Sequence, residues 1–467
     1  ALVWSGLVMT IEESEEAQQG EAQRGERSPG LLNYRRLKKQ ARVEDHQLND
    51  DALFLSLAPG MSLMDNQEAR DRALAGETLS GVAIRRLRLS GELSKQLLIR
   101  KSYIHQLELS DLRCLRAVSL SGCRFKRIHI EGCTFQESLS LKGCRVENFA
   151  IIRSQLQSLN GERLKVSRKS FLFHSHFAQR VRFWEASFGD WVEWEESIFD
   201  GLLDLRSTDL AAGFSATRCH FKGDVKFRGA SLRLKWEAKE SRFDKLLDFS
   251  KAKLNDFVYL EEIEQGPAQR WAFMNTVGER ILVAPEQLEG RLESEESEDH
   301  KSAVIEYGVL KRSFSHEQRY DAEDWAFYRF KVNERQAKRW SWSRPLGQLK
   351  RFGEWLFLDW GCGYGTSPTK AIRTALVMIL FFAGLYTLGA DYLHPPERAP
   401  FLSLEADHFV NTMTSSLLLS VSAFTSGFGD IKGAAIGWMN LLLIAEALLG
   451  TILWGLFIVA FGRKVIR

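Results

Sequence analysis

The chain has 467 residues, 45% hydrophobic and 26% charged, with a formal net charge of +3. That length leaves room for two to four domains at about 100–200 residues each, and nine prolines with ordinary charge exclude a chain disordered throughout. The near-neutral balance argues against a general nucleic-acid binder, and the six cysteines (Cys114, Cys123, Cys133, Cys144, Cys219, Cys362) form no CxxC pair, so neither a zinc cluster nor a redox motif is indicated.

Residues 1–78 read as a tail and lead-in. Ala1 to Thr10 is mostly apolar but has no basic flank, and the acidic, low-complexity stretch Glu12–Arg27 follows it. A tail fits this pattern better than a signal peptide does.

Residues 79–262 carry an internal repeat. Large apolar residues recur every eleven positions at Phe177, Phe188, Phe199, Leu210, Phe221, Leu232, Phe243 and Leu254. Two positions before each stands a small residue: Ser175, Ala186, Ser197, Thr208, Cys219, Ala230, Ser241 and Ala252. A second register (Phe183, Trp194, Leu205, Ala216, Phe227, Ala238, Phe249) runs between them. Residues two apart point to the same side of an extended chain. Pairs repeated every five or six residues therefore wind a solenoid with small and large side chains stacked inside. The pattern resembles the pentapeptide-repeat right-handed β-helix in a degenerate form, with coils of about 21–22 residues and roughly eight coils. The cysteines then read as small inward residues, and His174, His176 and His220 as exposed or core-edge residues rather than ligands. Residues 101–256 hold 27 Lys/Arg against 20 Asp/Glu, the wrong sign for the DNA mimicry known among pentapeptide repeats.

Residues 263–340 form the linker. The acidic stretch 291–300 reads as a solvated loop, and Val304–Ser315 and Ala322–Arg339 have helical spacing, which predicts a helical hairpin. Residues 341–370, with Trp342, Trp355 and Trp360 among basic residues and Trp340 just before them, suit an amphipathic helix at the cytosolic membrane surface.

Residues 371–467 have the composition of a membrane domain. Thr374–Ala390 carries no charge, and Ile436–Phe461 carries one, Glu446. Each is long enough to cross about 30 Å of hydrocarbon. Basic residues flank the pair on the outside, while the intervening loop holds Asp391, Glu397, Glu405 and Asp407 against Arg398. The positive-inside rule therefore places both termini and the solenoid in the cytoplasm. Residues 409–423 are apolar and hydroxyl-rich but too short to cross, which predicts a re-entrant helix. Thr425-Ser426-Gly427-Phe428-Gly429-Asp430 follows, and irregular backbone at membrane depth must be buried in protein or line a watery cavity.

At these residues the sequence resembles the tetrameric potassium-channel superfamily of two-span subunits, whose filter reads Thr-Val-Gly-Tyr-Gly-Asp. The resemblance implies ion sites built from oxygens of Thr425, Ser426, Gly427, Phe428 and Gly429, with Asp430 at the outer end. Ser426 stands in place of valine and Phe428 in place of tyrosine. Glu446 either lines the inner cavity or is hydrogen-bonded behind the pore helix, to Ser420, Ser422 or Thr425. Gly450 resembles the family's hinge glycine, and close helix packing is the alternative. The whole chain resembles bacterial pentapeptide-repeat two-transmembrane ion channels, in which a helix pair precedes the pore.

The expectation is thus a mixed fold: a cytosolic β-helix, a helical hairpin linker and an α-helical two-span pore domain with a re-entrant pore helix. It is a homotetrameric cation channel of the inner membrane, potassium-preferring and without enzymatic chemistry. Potassium at the filter is the permeant ion, with no structural metal and no organic cofactor. The lipid bilayer is a partner, as is an unidentified cytosolic ligand or protein on the β-helix; nucleic acid is not. The alternative is a membrane-anchored β-helix binding scaffold with a nonselective or vestigial pore. There is no arginine-rich voltage-sensor helix, so steep voltage gating is not expected.

Overall fold

The computed structural model of the chain describes residues 51–338, 351–389, 406–426 and 437–465. The tail over 1–50 lies outside them, as do Trp340, Trp342 and Gly427 to Asp430. The chain divides into two compact units, one ending at Gln318 and the other beginning at Arg319.

The first unit is a β-solenoid of about 11 turns. Its strands run from Ser62–Leu63 to Ile281–Leu282, and each pairs in parallel with the strand one coil away. Ala83 pairs with Tyr103, 20 residues on; Tyr103 pairs with Arg124, 21 on. Between Lys165 and Leu254 the step settles at 22, as in His176–Ile198–His220–Arg242. The alternation of five and six residues sets this coil length.

The core follows from that register. Phe177, Phe199, Phe221 and Phe243 stack on successive coils with ring centroids 4.8, 5.0 and 4.6 Å apart and planes within 18° of parallel. Phe188, Leu210, Leu232 and Leu254 form a second buried column. Small inward residues complete the coil, and hydrogen bonding explains the serines among them. Ser197 Oγ accepts a hydrogen bond from Ser175 N (3.2 Å) and donates to Glu195 O (3.0 Å). Ser175 Oγ does the same between Ser154 N and Phe173 O. Each hydroxyl satisfies backbone groups buried at a corner, where the strand ladder breaks off.

The corners have a signature of their own. His174, Glu196, Arg218 and Glu240 have φ of 48°, 46°, 51° and 51°; Glu185, Ser207, Gly229 and Lys251 form a matching column at 56°, 55°, 71° and 59°. Two left-handed residues per coil turn the chain sharply. Glycine does this at Gly122, Gly132 and Gly143 without the cost of about 1–2 kcal/mol borne by other residues. Elsewhere the corners are charged and bridged from coil to coil, as in Arg163–Glu185 (2.8 Å) and Arg218–Glu196 (2.7 Å).

Both ends of the solenoid are covered. Helix α1 (Asp51–Ser56) buries Phe54 against Ala83 and Tyr103, and α2 (Asn66–Ala75) follows. At the other end come α3 (Pro285–Leu288), α4 (Glu293–Glu296) and α5 (His300–His316). Ser313 Oγ of α5 accepts from Ile281 N (2.8 Å) and donates to Ile281 O (3.1 Å). Glu306 accepts from Phe273 N (2.8 Å) and from Ser294 Oγ. These side chains pair with the open strand edge, which otherwise invites association. The first helix of the expected hairpin is therefore docked on the solenoid through Glu306 and Ser313.

The second unit is helical. It holds α6 (Tyr320–Gln336), a π-helical segment (Glu354–Gly361), α7 (Pro368–Leu388), α8 (Ala406–Ser426) and α9 (Trp438–Val465). Helices α7 and α9 are long and apolar enough to cross a membrane. Their outer faces are bare: Leu380 is 65% exposed and Leu441 69%. Their inner faces meet α8 in a core of Phe382, Tyr386, Ala423, Met439, Leu443 and Ala447. At 21 residues α8 extends beyond the apolar stretch 409–423 and measures about 31 Å at 1.5 Å per residue. The re-entrant reading thus rests on hydroxyl content and chain order, not on length.

Candidate functional site

Helix α8 ends at Ser426, two residues into the Thr425–Asp430 stretch. Thr425 and Ser426 form its last turn, and Thr425 Oγ1 donates to Val421 O (2.7 Å). These two residues are helical, whereas a filter would hold them extended. Gly427, Phe428, Gly429 and Asp430 lie outside the described residues. The last four carbonyls of a helix lack intrahelical partners, and its C-terminus carries about half a negative charge. The C-terminal end of α8 therefore attracts cations at the point where the segment begins.

Glu446 sits behind α8. It is fully buried and accepts hydrogen bonds from Tyr386 Oη (2.6 Å) and from Ser420 Oγ. Ser420 Oγ also lies 2.9 Å from Ile379 O. One carboxyl group thus joins α7, α8 and α9. Of its two sequence readings, the hydrogen-bonded one describes this geometry, with Ser420 and Tyr386 as partners. Tyr386 escapes sequence reasoning; its only signal is a polar-tipped aromatic in an otherwise apolar span.

At Gly450 the backbone of α9 passes close against α8. A Cβ there would lie 2.6 Å from the carbonyl oxygen of Phe424. Glycine is required because two helix backbones touch, and they touch one residue before Thr425. Around this contact Cys362, Ala371, Phe424 and Leu453 are buried together.

A second polar cluster was not foreseen. Asp359, in the π-helical segment, accepts from Arg335 (2.6 Å) and from Tyr328 Oη (2.8 Å), both on α6. Asp324 on the same helix pairs with Arg463 near the end of α9 (3.2 Å). Helix α6 is thereby tied to the segment leading into α7 and to the tail of α9. The sequence hint was acidic residues at one end of a helix facing a basic terminus, a pattern that also fits a solvated surface.

The solenoid histidines are bridged to carboxylates one coil away: His174–Glu196 (2.9 Å), His176–Asp200 (2.6 Å) and His220–Asp244 (2.7 Å). All six cysteines are buried. Burial pushes the thiols of Cys114 and Cys219 up to about 12 and that of Cys133 to about 11. These three stay protonated and pack as small apolar residues.

No protein-family model, curated protein or solved structure matches this chain.

Proposed function

We propose that this chain is one subunit of a tetrameric cation channel, potassium-preferring, that conducts through the segment Thr425–Asp430. The observation that carries the proposal is chain order: a membrane-length helix, a hydroxyl-rich helix, TSGFGD, and a second membrane-length helix within about one hundred residues. The placement of α8 supports it, because the helix leads into the segment and Glu446 and Gly450 fix it against both spans. Alternating glycines permit positive φ, so successive carbonyls of the segment can face one axis. Four copies are needed, since one loop cannot surround an ion. Conduction is passive exchange of an ion's hydration shell for main-chain oxygens. The solenoid regulates or assembles the pore from the cytosolic side. Phe352, Trp355, Phe357 and Trp360 are exposed, and Arg373 lies over the Trp360 ring at 5.6 Å, which suits a segment at the membrane surface.

The test is flux. Purified protein in liposomes with a potassium gradient passes potassium, and Gly427→Ala or Asp430→Asn changes that flux. A second reading, favoured by Ser426 and Phe428 at two filter positions, makes the protein a membrane-anchored binding scaffold with a vestigial or nonselective pore. Absence of flux in wild type and variants selects the scaffold.

A further inference from the structure

The solenoid distributes its charges in two ways. Residues 170–256 hold 14 Lys/Arg and 14 Asp/Glu, and charged columns there alternate in sign. Arg182, Asp204, Lys226 and Asp248 stack on successive coils, as do Asp200, Lys222 and Asp244. Residues 101–169 hold 13 Lys/Arg against 6 Asp/Glu. There the register places Arg124 beside Arg145 and Arg145 beside Lys165. Among the described residues, exposed Arg145 and Lys165 have no ion-pair partner, and Arg124 lies over the Tyr103 ring (5.7 Å) without a carboxylate partner. Exposed Arg168 stands close by. Like charges directly opposite on paired strands are destabilising, so this column is a cost that the alternating half avoids.

We propose that this basic column is the docking surface for the acidic segment Ile11–Glu21 of the same chain. That segment, IEESEEAQQGE, carries Glu12, Glu13, Glu15, Glu16 and Glu21 and no basic residue. It lies outside the described residues. Charge complementarity names it, and reach permits it: 29 residues, 22–50, connect it to Asp51 at the start of α1, up to about 95 Å when extended. The column lies a few coils from that end of the rod. Dimensions also agree. Two coil steps from Arg124 to Lys165 cover about 10 Å, and in an extended segment Glu13 and Glu15, or Glu12 and Glu16, point to one side about 7 and 13 Å apart. The column offers no exposed aromatic on which bases could stack, and Glu147 and Glu162 interrupt the basic surface, so a continuous phosphate backbone fits less well than a short run of carboxylates.

The experiment uses the full chain in detergent micelles. Carbodiimide joins a carboxylate to an amine only where the two are in contact. Mass mapping is expected to find Glu12, Glu13, Glu15, Glu16 or Glu21 joined to Lys165, Lys142 or Lys126 within one chain. The yield falls severalfold at about 1 M salt, where the Debye length is about 3 Å. A second measurement reads a sign. On an occupied column Arg145→Gln lowers the thermal midpoint of the solenoid. In a chain that also carries Glu12→Gln, Glu13→Gln, Glu15→Gln and Glu16→Gln, the same change raises it, because only repulsion is left to relieve. Cross-links confined to other lysines, cross-links joining isotopically distinct copies, or a midpoint that rises on Arg145→Gln alone overturn the proposal.

Discussion

Glu306 makes the stability of the solenoid cap depend on pH, with a sign the structure fixes. Burial raises this carboxyl from 4.5 to about 7, opposed by hydrogen bonds from Ser294 and Phe273 N and reinforced by the charges of Asp248 and Glu295. In the unfolded chain it titrates at its ordinary value. Between the two values the folded state holds a proton that the unfolded state has released, so stability falls as pH rises from about 4.5 to about 7 and then levels off. At 1.36 kcal/mol per pK unit a shift from 4.5 to about 7 is worth on the order of 3 kcal/mol at neutral pH. Glu306→Gln keeps an acceptor for Phe273 N and cannot ionise. It is expected to match wild type near pH 5 and to exceed it by on the order of 3 kcal/mol near pH 8. Amide hydrogen exchange over residues 273–281 reports cap opening locally, which suits a chain of two units better than a single melting curve. Equal pH slopes in wild type and variant refute the assignment.

Two further outcomes follow from packing. Phe221→Ala opens a hole between rings 5.0 and 4.6 Å away and is expected to cost about 3–5 kcal/mol, measured as a fall in the solenoid's denaturation midpoint, with exchange fastest in the coils around residue 221. Gly450→Ala drives a methyl group to 2.6 Å from Phe424 O; displacement of α8 should lower potassium flux in liposomes while leaving the solenoid's midpoint unchanged, and unaltered flux would show that α8 need not sit where Gly450 now holds it.

The sequence revealed the solenoid through its inward residues, because the period-eleven Phe/Leu and Ser/Cys/Ala columns are the core itself. It concealed the corners. Glu196, Arg218 and Glu240 sit where glycine would be the usual choice, and nothing in a charged residue announces a left-handed backbone. The cap was half legible: α5 reads as an amphipathic helix, but the docking of Glu306 and Ser313 on a strand edge depends on residues 33 and 32 positions away. In the helical unit, hydropathy exposes both spans and Glu446 stands out as their one charge. Its partners Tyr386 and Ser420 come from other helices, which a linear pattern cannot pair. Asp359 and Asp324 likewise pair with Arg335 and Arg463 from distant parts of the chain, which no local pattern marks.

The constant step of 22 residues between Lys165 and Leu254 makes this stretch of the protein modular. Excising residues 199–220 would set Phe221 directly on Phe177 and carry every inward column across the join unbroken. In solenoids each repeat touches only its neighbours, so neither terminal cover would register the loss. The reach of the rod is therefore adjustable in increments of one turn, roughly 5 Å each, by duplication or deletion alone, with no change required in what lies at either end.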